Sequence, residues 1–194
     1  MDKEKMQEMM MDYYRRAFVD RWGETWYSNV IRALIISAEE NERQYDTEDK
    51  RKNLAVKRLR DESWDPYELI VETQIGLVLV MCQTYIARIV SLVNYFYKDY
   101  EALFGKELMK IDTSKRSLMS HFGPRVKGAQ YSSGEVIDAL ANYFKHHEEW
   151  GGKLASLRGN EKRTAEIVRS VGADLSRSLW YSQNLTKCTK KLGI

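Results

Sequence analysis

The sequence predicts an all-α protein, a bundle of helices around one long central helix. Three observations predict it. Two prolines and eleven glycines interrupt 194 residues, too few breakers for the frequent turns of a β-sandwich or barrel. Apolar residues recur at steps of three and four, the period of a helical face, and no strand pattern competes with them. Between Pro66 and Phe104 the only further breaker is Gly76. A chain of this length fits one domain and can bury a sizeable core. Residues 1–194 are therefore expected to form a single helical domain, with the charged segment 39–63 protruding. Hydrophobic residues at 43% and charged residues at 30% argue against disorder.

The first helix is expected from about Lys3 to Trp22, with Met6, Met9, Met10, Tyr13, Ala17 and Phe18 on one stripe and Gly23 as its breaker. A second runs from Glu24 to Gln44 with Trp26, Val30, Ala33, Leu34 and Ser37 inward. Glu39–Ser63 carries both charge signs densely and reads as an exposed hairpin tip or surface helix around Glu48–Arg60. Asp65 can cap the next helix and Pro66 suits its first position. That helix would reach Phe104, roughly 58 Å at about 1.5 Å per residue. Its middle is apolar almost all round, which predicts burial at the centre of the bundle. One stripe differs: Gly76, Val80, Gln83, Ala87, Ser91 and Asn94 are small or polar and allow another helix to approach closely, within the subunit or across a dimer. Thr113 or Ser114 caps a short helix to about His121, and Phe122–Ser133 is a loop. Ser132 or Ser133 with Glu135 starts a helix to Trp150, ended by Gly151-Gly152. A helix after Gly159 carries Ala165, Ile167 and Val168 and stops near Gly172. The last is expected over Ala173–Lys191, with Leu175, Leu179, Trp180 and Leu185 apolar and Lys187, Lys190 and Lys191 at the negative end of its dipole.

Several function classes are disfavoured. A net charge of +3 is too small to mark a nucleic-acid binder by itself. Cys82 and Cys188 stand far apart, so neither a disulfide framework nor a zinc ribbon is expected. No apolar leader opens the sequence, and Gln83, Thr84, Arg88, Ser91 and Asn94 interrupt the most apolar run. The expectation is a cytoplasmic protein that does not enter a membrane. Gly123-Pro-Arg-Val-Lys-Gly128 spaces its glycines like a phosphate loop, but Ala129-Gln130 stand where lysine and a hydroxyl residue belong. No cofactor is expected.

The segment Glu135–Trp150 carries the chemistry. At 100° per residue, Glu135, Asp138, Asn142, Lys145, His146 and Glu149 all lie within about 60° of Asn142. Val136, Ile137, Leu140, Tyr143, Phe144 and His147 fall on the other side. His146 thus joins a polar stripe and His147 points to the core. A stripe of this kind is commonly just a solvated face, yet a purely solvated face has little use for histidine and asparagine, which are mediocre helix formers. Histidine is the side chain that titrates near neutral pH. Asp138, Asn142 and His146, or His146 and Glu149, are spaced to share a metal, but no second helix offers a matching Glu-x-x-His, so no metal is expected. Glu135, three turns from His146, is expected to matter little.

The run Ala141-Asn-Tyr-Phe-Lys-His146 resembles part of the signature of HEPN domains, helical-bundle proteins of bacterial toxin–antitoxin and antiphage systems. That signature is an arginine, four to six residues and a histidine, often with asparagine directly after the arginine. Asn142 and His146 fit the asparagine and histidine places, and Ala141 occupies the arginine place. Arg116-Ser-Leu-Met-Ser-His121 is a second match. The resemblance implies a metal-independent endoribonuclease acting by acid–base chemistry on the ribose 2′-hydroxyl. It implies His146 as acid or base, Asn142 as its orienter, Lys145 or Arg116 as the phosphate contact, His121 as the histidine of the second match, and a homodimer with a shared site. Lys115, Arg125 and Lys127 flank the loop as candidate RNA contacts. The alternative is a non-catalytic helical interaction protein: an antitoxin, an immunity partner, or a subunit of a larger, nucleic-acid-binding assembly.

Overall fold

The long breaker-free stretch forms one helix. The computed structural model describes residues 2–19, 24–52, 66–105, 112–150, 154–176 and 183–193. Among these are seven α-helices: α1 (Lys3–Val19), α2 (Glu24–Lys52), α3 (Pro66–Phe104), α4 (Lys115–Phe122), α5 (Ser133–Trp150), α6 (Gly159–Ser170) and α7 (Asn184–Leu192). One antiparallel bridge, Arg125 to Ser132, is the only β pairing among the described residues. Helices α1, α2, α4, α5 and α7 all pack on α3, and α6 packs on α5.

The core lies where α5 crosses α3. Leu79 of α3 shares one buried cluster with Val136, Leu140 and Tyr143 of α5, Val168 of α6, and Leu185 and Cys188 of α7. Gly76 makes the crossing close: a Cβ there would overlap the Phe144 ring. The small end of the α3 stripe therefore serves packing within the subunit. Further along that stripe, Ala87 and Ser91 are exposed.

Burial of α3 departs from expectation. Over its 39 residues, only Glu72, Gly76, Val78, Leu79 and Tyr100 are buried among those described. Leu77 is 47% exposed and Tyr95 60%. Among the described residues α2 and α5 pack most heavily on α3, whereas α1 and the short α4, which reach its second half at Phe96–Phe104 and Ile89–Val93, touch it more lightly.

The first helix turns slightly differently from its predicted stripe. Met10 and Tyr14 are buried against Phe96, Tyr100 and Phe104, while Met9 and Tyr13 are more than half exposed. α2 continues to Lys52, so charged residues 39–52 belong to the helix rather than to a hairpin tip. Polar side chains seam it to α3: Gln74 donates to Ser37 Oγ at 2.8 Å and accepts from Asn41 at 3.0 Å. The expected roles of Gly23, residues 53–65, Gly151-Gly152, Leu179 and Trp180, and the Trp26 side chain, lie outside what is described.

The last helix is much shorter than predicted. Ala173–Ser176 is non-helical and α7 begins at Asn184. In one continuous helix residues 174 and 184 would stand about 15 Å apart. Here the Asn184 amide clasps Asp174 directly, accepting from its N–H at 2.8 Å and donating to its carbonyl at 2.9 Å. A second donation reaches the Tyr143 hydroxyl at 2.9 Å. Buried Glu72 of α3 then caps α7, accepting from the N–H groups of Leu185 and Thr186 at 2.9 Å and the Thr186 hydroxyl at 2.6 Å. A carboxylate at a helix N-terminus satisfies free amides and complements the dipole.

Candidate functional site: a polar cleft beside α4

Two caps set the geometry of the region. Ser114 caps α4, its hydroxyl accepting from Ser117 N–H at 3.3 Å. Ser132 and Glu135 form a reciprocal capping box on α5: Ser132 Oγ accepts from Glu135 N–H at 3.2 Å, and Glu135 Oε2 accepts from Ser132 N–H at 3.0 Å. Between the helices, Pro124–Ser133 folds back on itself, with Val126 N–H on the Tyr131 carbonyl at 3.1 Å and Ser133 N–H on the Pro124 carbonyl at 2.7 Å. Gly128 takes φ +78° at the tip. The glycine spacing thus makes a tight loop rather than a phosphate loop.

A cleft of about 550 Å³ opens beside this loop. Arg116, Ser117, Ser120 and His121 of α4 line it, with Arg125 and Tyr131 of the loop and Arg163 of α6. Arg116 makes no hydrogen bond or ion pair among the described residues, whereas Arg125 donates from Nη1 to the Gln130 carbonyl. Arg163 donates from Nη2 to Glu135 Oε1 at 2.8 Å, and its guanidinium carbon lies 5.8 Å from the centre of the Tyr131 ring. The two carboxylates of the lining are bound to protein donors. Glu135 is 5% exposed, holding Ser132 and Arg163. Asp112 accepts from the N–H and hydroxyl of Ser114, which hold its carboxyl below the usual range.

The α5 stripe is divided. Its middle is an interhelical seam. Gln83 of α3 donates to Asp138 Oδ1 at 2.7 Å and Asn142 Oδ1 at 3.0 Å, and accepts from Lys145 Nζ at 2.8 Å. Lys115 closes on the same Asp138 carboxylate. His146 is about half exposed and donates from Nδ1 to Glu149 at 3.1 Å. His147 is more buried, as predicted, with Nδ1 on the Phe144 carbonyl at 2.9 Å and its ring against Tyr143.

The structure therefore gathers Arg116, His121 and Arg125 in one cleft. Asn142 and Lys145 are held in the seam, and Lys115 is paired there too. Lys127 is exposed on the loop, outside the cleft lining. His146 is eleven residues from Glu135, roughly 16 Å along α5, so it does not share the cleft. Ala141, in the arginine place, is fully buried among apolar side chains. Glu135, which helical phase puts on the polar stripe, is buried and anchors the cleft through Arg163. Sequence reasoning missed Arg163, Gln130 and Tyr131. The only local signal was the capping box, whose glutamate is committed to helix-start geometry; that it also grips an arginine from α6 is a tertiary fact. Among the described residues no three His, Cys, Asp or Glu side chains gather as a metal group. Comparison of the chain with family models, curated proteins and solved structures finds no match.

Proposed function

We propose that the chain acts on RNA as a HEPN-like, metal-independent endoribonuclease of a bacterial toxin or antiphage system, through the Arg116–His121 cleft. The observation that carries the reading is the convergence of Arg116, His121 and Arg125 on one polar cleft. The chemistry needs a proton carrier near neutral pH and cations for the pentacoordinate phosphorane. His121 takes the proton of the ribose 2′-hydroxyl or gives one to the departing 5′-oxygen. Arg116 neutralises the charge on the phosphoryl oxygens, with Arg125 holding a neighbouring phosphate. In this reading His146 and Asn142 are structural.

The test is cleavage of single-stranded RNA in chelator by wild type and variants. Arg116→Ala and His121→Ala are each expected to slow cleavage by about 10²-fold, the usual contribution of one acid–base group. His146→Ala should stay within a few-fold. A loss confined to His146→Ala would move the site to α5.

A second reading is favoured by a different observation. An apolar groove of about 550 Å³, lined by Ile89, Val93 and Phe96 of α3 and Leu118 and Met119 of α4, lies open. In this reading the chain is a non-catalytic helical interaction protein whose partner covers that groove. Wild type that leaves RNA intact yet captures a cognate protein would select it. Either reading uses the flank of α3 that no described helix covers as a protein surface. The stretch Leu69–Phe104 is long and apolar enough to cross a membrane by length and composition; in either reading its flank meets a second copy or a partner in the cytoplasm instead.

A further inference from the structure

We infer that the cleft holds a terminal phosphate, the phosphomonoester end of a nucleotide or an RNA strand, with Arg163 as its fixed anchor. The inference rests on the reading of the cleft as an RNA site and adds what that site selects.

Three guanidinium groups reach the cleft from three separate parts of the chain: Arg116 from α4, Arg125 from the loop and Arg163 from α6. Two are already held. Arg163 is fixed by the buried Glu135 carboxylate and the Tyr131 ring, and Arg125 by the Gln130 carbonyl. Each guanidinium carries five N–H donors, so one bond to the protein leaves the others for a ligand. A fork that is already positioned loses little further freedom on binding. The two carboxylates of the lining, Glu135 on Arg163 and Asp112 on Ser114, offset two of the three positive charges. Hydroxyls of Ser117 and Ser120 add neutral donors to the same lining.

Donor geometry decides between kinds of phosphate. Arg116 serves the diester that is cleaved, and the two held forks, Arg125 and Arg163, serve the phosphate beside it. A phosphomonoester offers three terminal oxygens to such forks, whereas an internal phosphodiester offers two, so the pair matches a strand end better. The cleft volume of about 550 Å³ also falls in the range of small-molecule sites, roughly 300–1,000 Å³, which suits the end of a strand.

The experiment is calorimetric titration of the full chain with 5′-AMP, 3′-AMP, adenosine, and one short single-stranded RNA carrying either a 5′-phosphate or a 5′-hydroxyl. The phosphorylated ligand of at least one pair should bind at least 10-fold tighter than its unphosphorylated form. The two AMP isomers tell which end is selected. Arg125→Ala, at an exposed position, should abolish most of that preference, whereas Arg116→Ala should weaken both RNA forms alike. Arg163→Lys keeps the charge but loses the fork, and should cut it several-fold with the circular dichroism spectrum unchanged. If both RNA forms bind equally, neither AMP exceeds adenosine, and Arg116→Ala weakens both RNAs, the terminal-phosphate inference falls while the RNA reading stands. If nucleotides bind but RNA is not cleaved, the inference stands and the nuclease reading falls. If no phosphorylated ligand binds, both fall.

Discussion

Tyr14 and Asp99 tie α1 to α3 by a short hydrogen bond, the tyrosine hydroxyl donating to the carboxylate. Burial of the ring first, and then the bond and charge of Asp99, push the Tyr14 hydroxyl well above its ordinary value near 10. The raised value sets a direction for alkaline stability. Above about pH 10 an unfolded Tyr14 is ionised while the folded one keeps its proton. Unfolding then releases a proton, and this contribution to stability is lost as pH rises. Tyr14→Phe is expected to cost about 1 kcal/mol at pH 8, the net worth of one such bond. Its deficit against wild type should shrink above pH 10, as read by urea midpoints at both pH values. Sequence pattern had assigned the buried position to Tyr13. The two tyrosines are adjacent, and only the cluster of Phe96, Tyr100 and Phe104 on another helix decides which turns inward. The same limit explains the histidines: phase within α5 separates His146 from His147, yet cannot say that Asn142 would meet Gln83.

Helix α7 depends on a carboxylate delivered from 113 residues away. Glu72→Gln keeps the shape, removes the charge, and turns one acceptor oxygen into a donor facing N–H groups. We expect a loss of about 1–3 kcal/mol, the range for a buried acceptor left unmatched. Amide hydrogen exchange should show protection falling first at Leu185 and Thr186, whereas an unchanged pattern there would refute the cap. This cap was invisible in the sequence, because a glutamate within an apolar helix carries no mark of what it will face. The Ser132–Glu135 box and the Ser114 cap were legible, because each is a local contact between residues three apart. The false extension of the last helix to Ala173 has the same origin. Periodicity continued across residues 173–176, and the Asn184 clasp that interrupts it is a contact over ten residues.

The all-α architecture and the central position of α3 followed from the scarcity of breakers. How much of α3 is covered did not, since it depends on how closely each neighbour packs on it. Leu77, Tyr95 and Leu103 are exposed along it, and an apolar groove lies between it and α4. We expect a homodimer: light scattering at tens of micromolar should give twice the chain mass. Tyr95→Asp, at a position 60% exposed, should return the monomer with little loss of thermal stability. Wild type that scatters as a monomer would remove this use of α3. The cleft was half legible. Lys115, Arg116, Arg125 and Lys127 stand out in the sequence as basic residues around the loop, and His121 as the histidine five places after Arg116, whereas Arg163 arrives from another helix.

The notch at Gly76 also determines how α5 is threaded along α3. Asp138, Asn142 and His146 repeat every four residues, so sliding α5 by about one turn would present Gln83 with another polar pair. The seam alone is thus degenerate, like a ladder whose rungs are interchangeable. Gly76 is not degenerate. It receives the flat ring of Phe144, and a one-turn slip would offer it the branched Leu140 or the charged Glu148 instead. The missing methyl group acts as the index mark of the bundle, and through it the start of α5, with Glu135 and the arginine it holds, is brought to the mouth of the cleft.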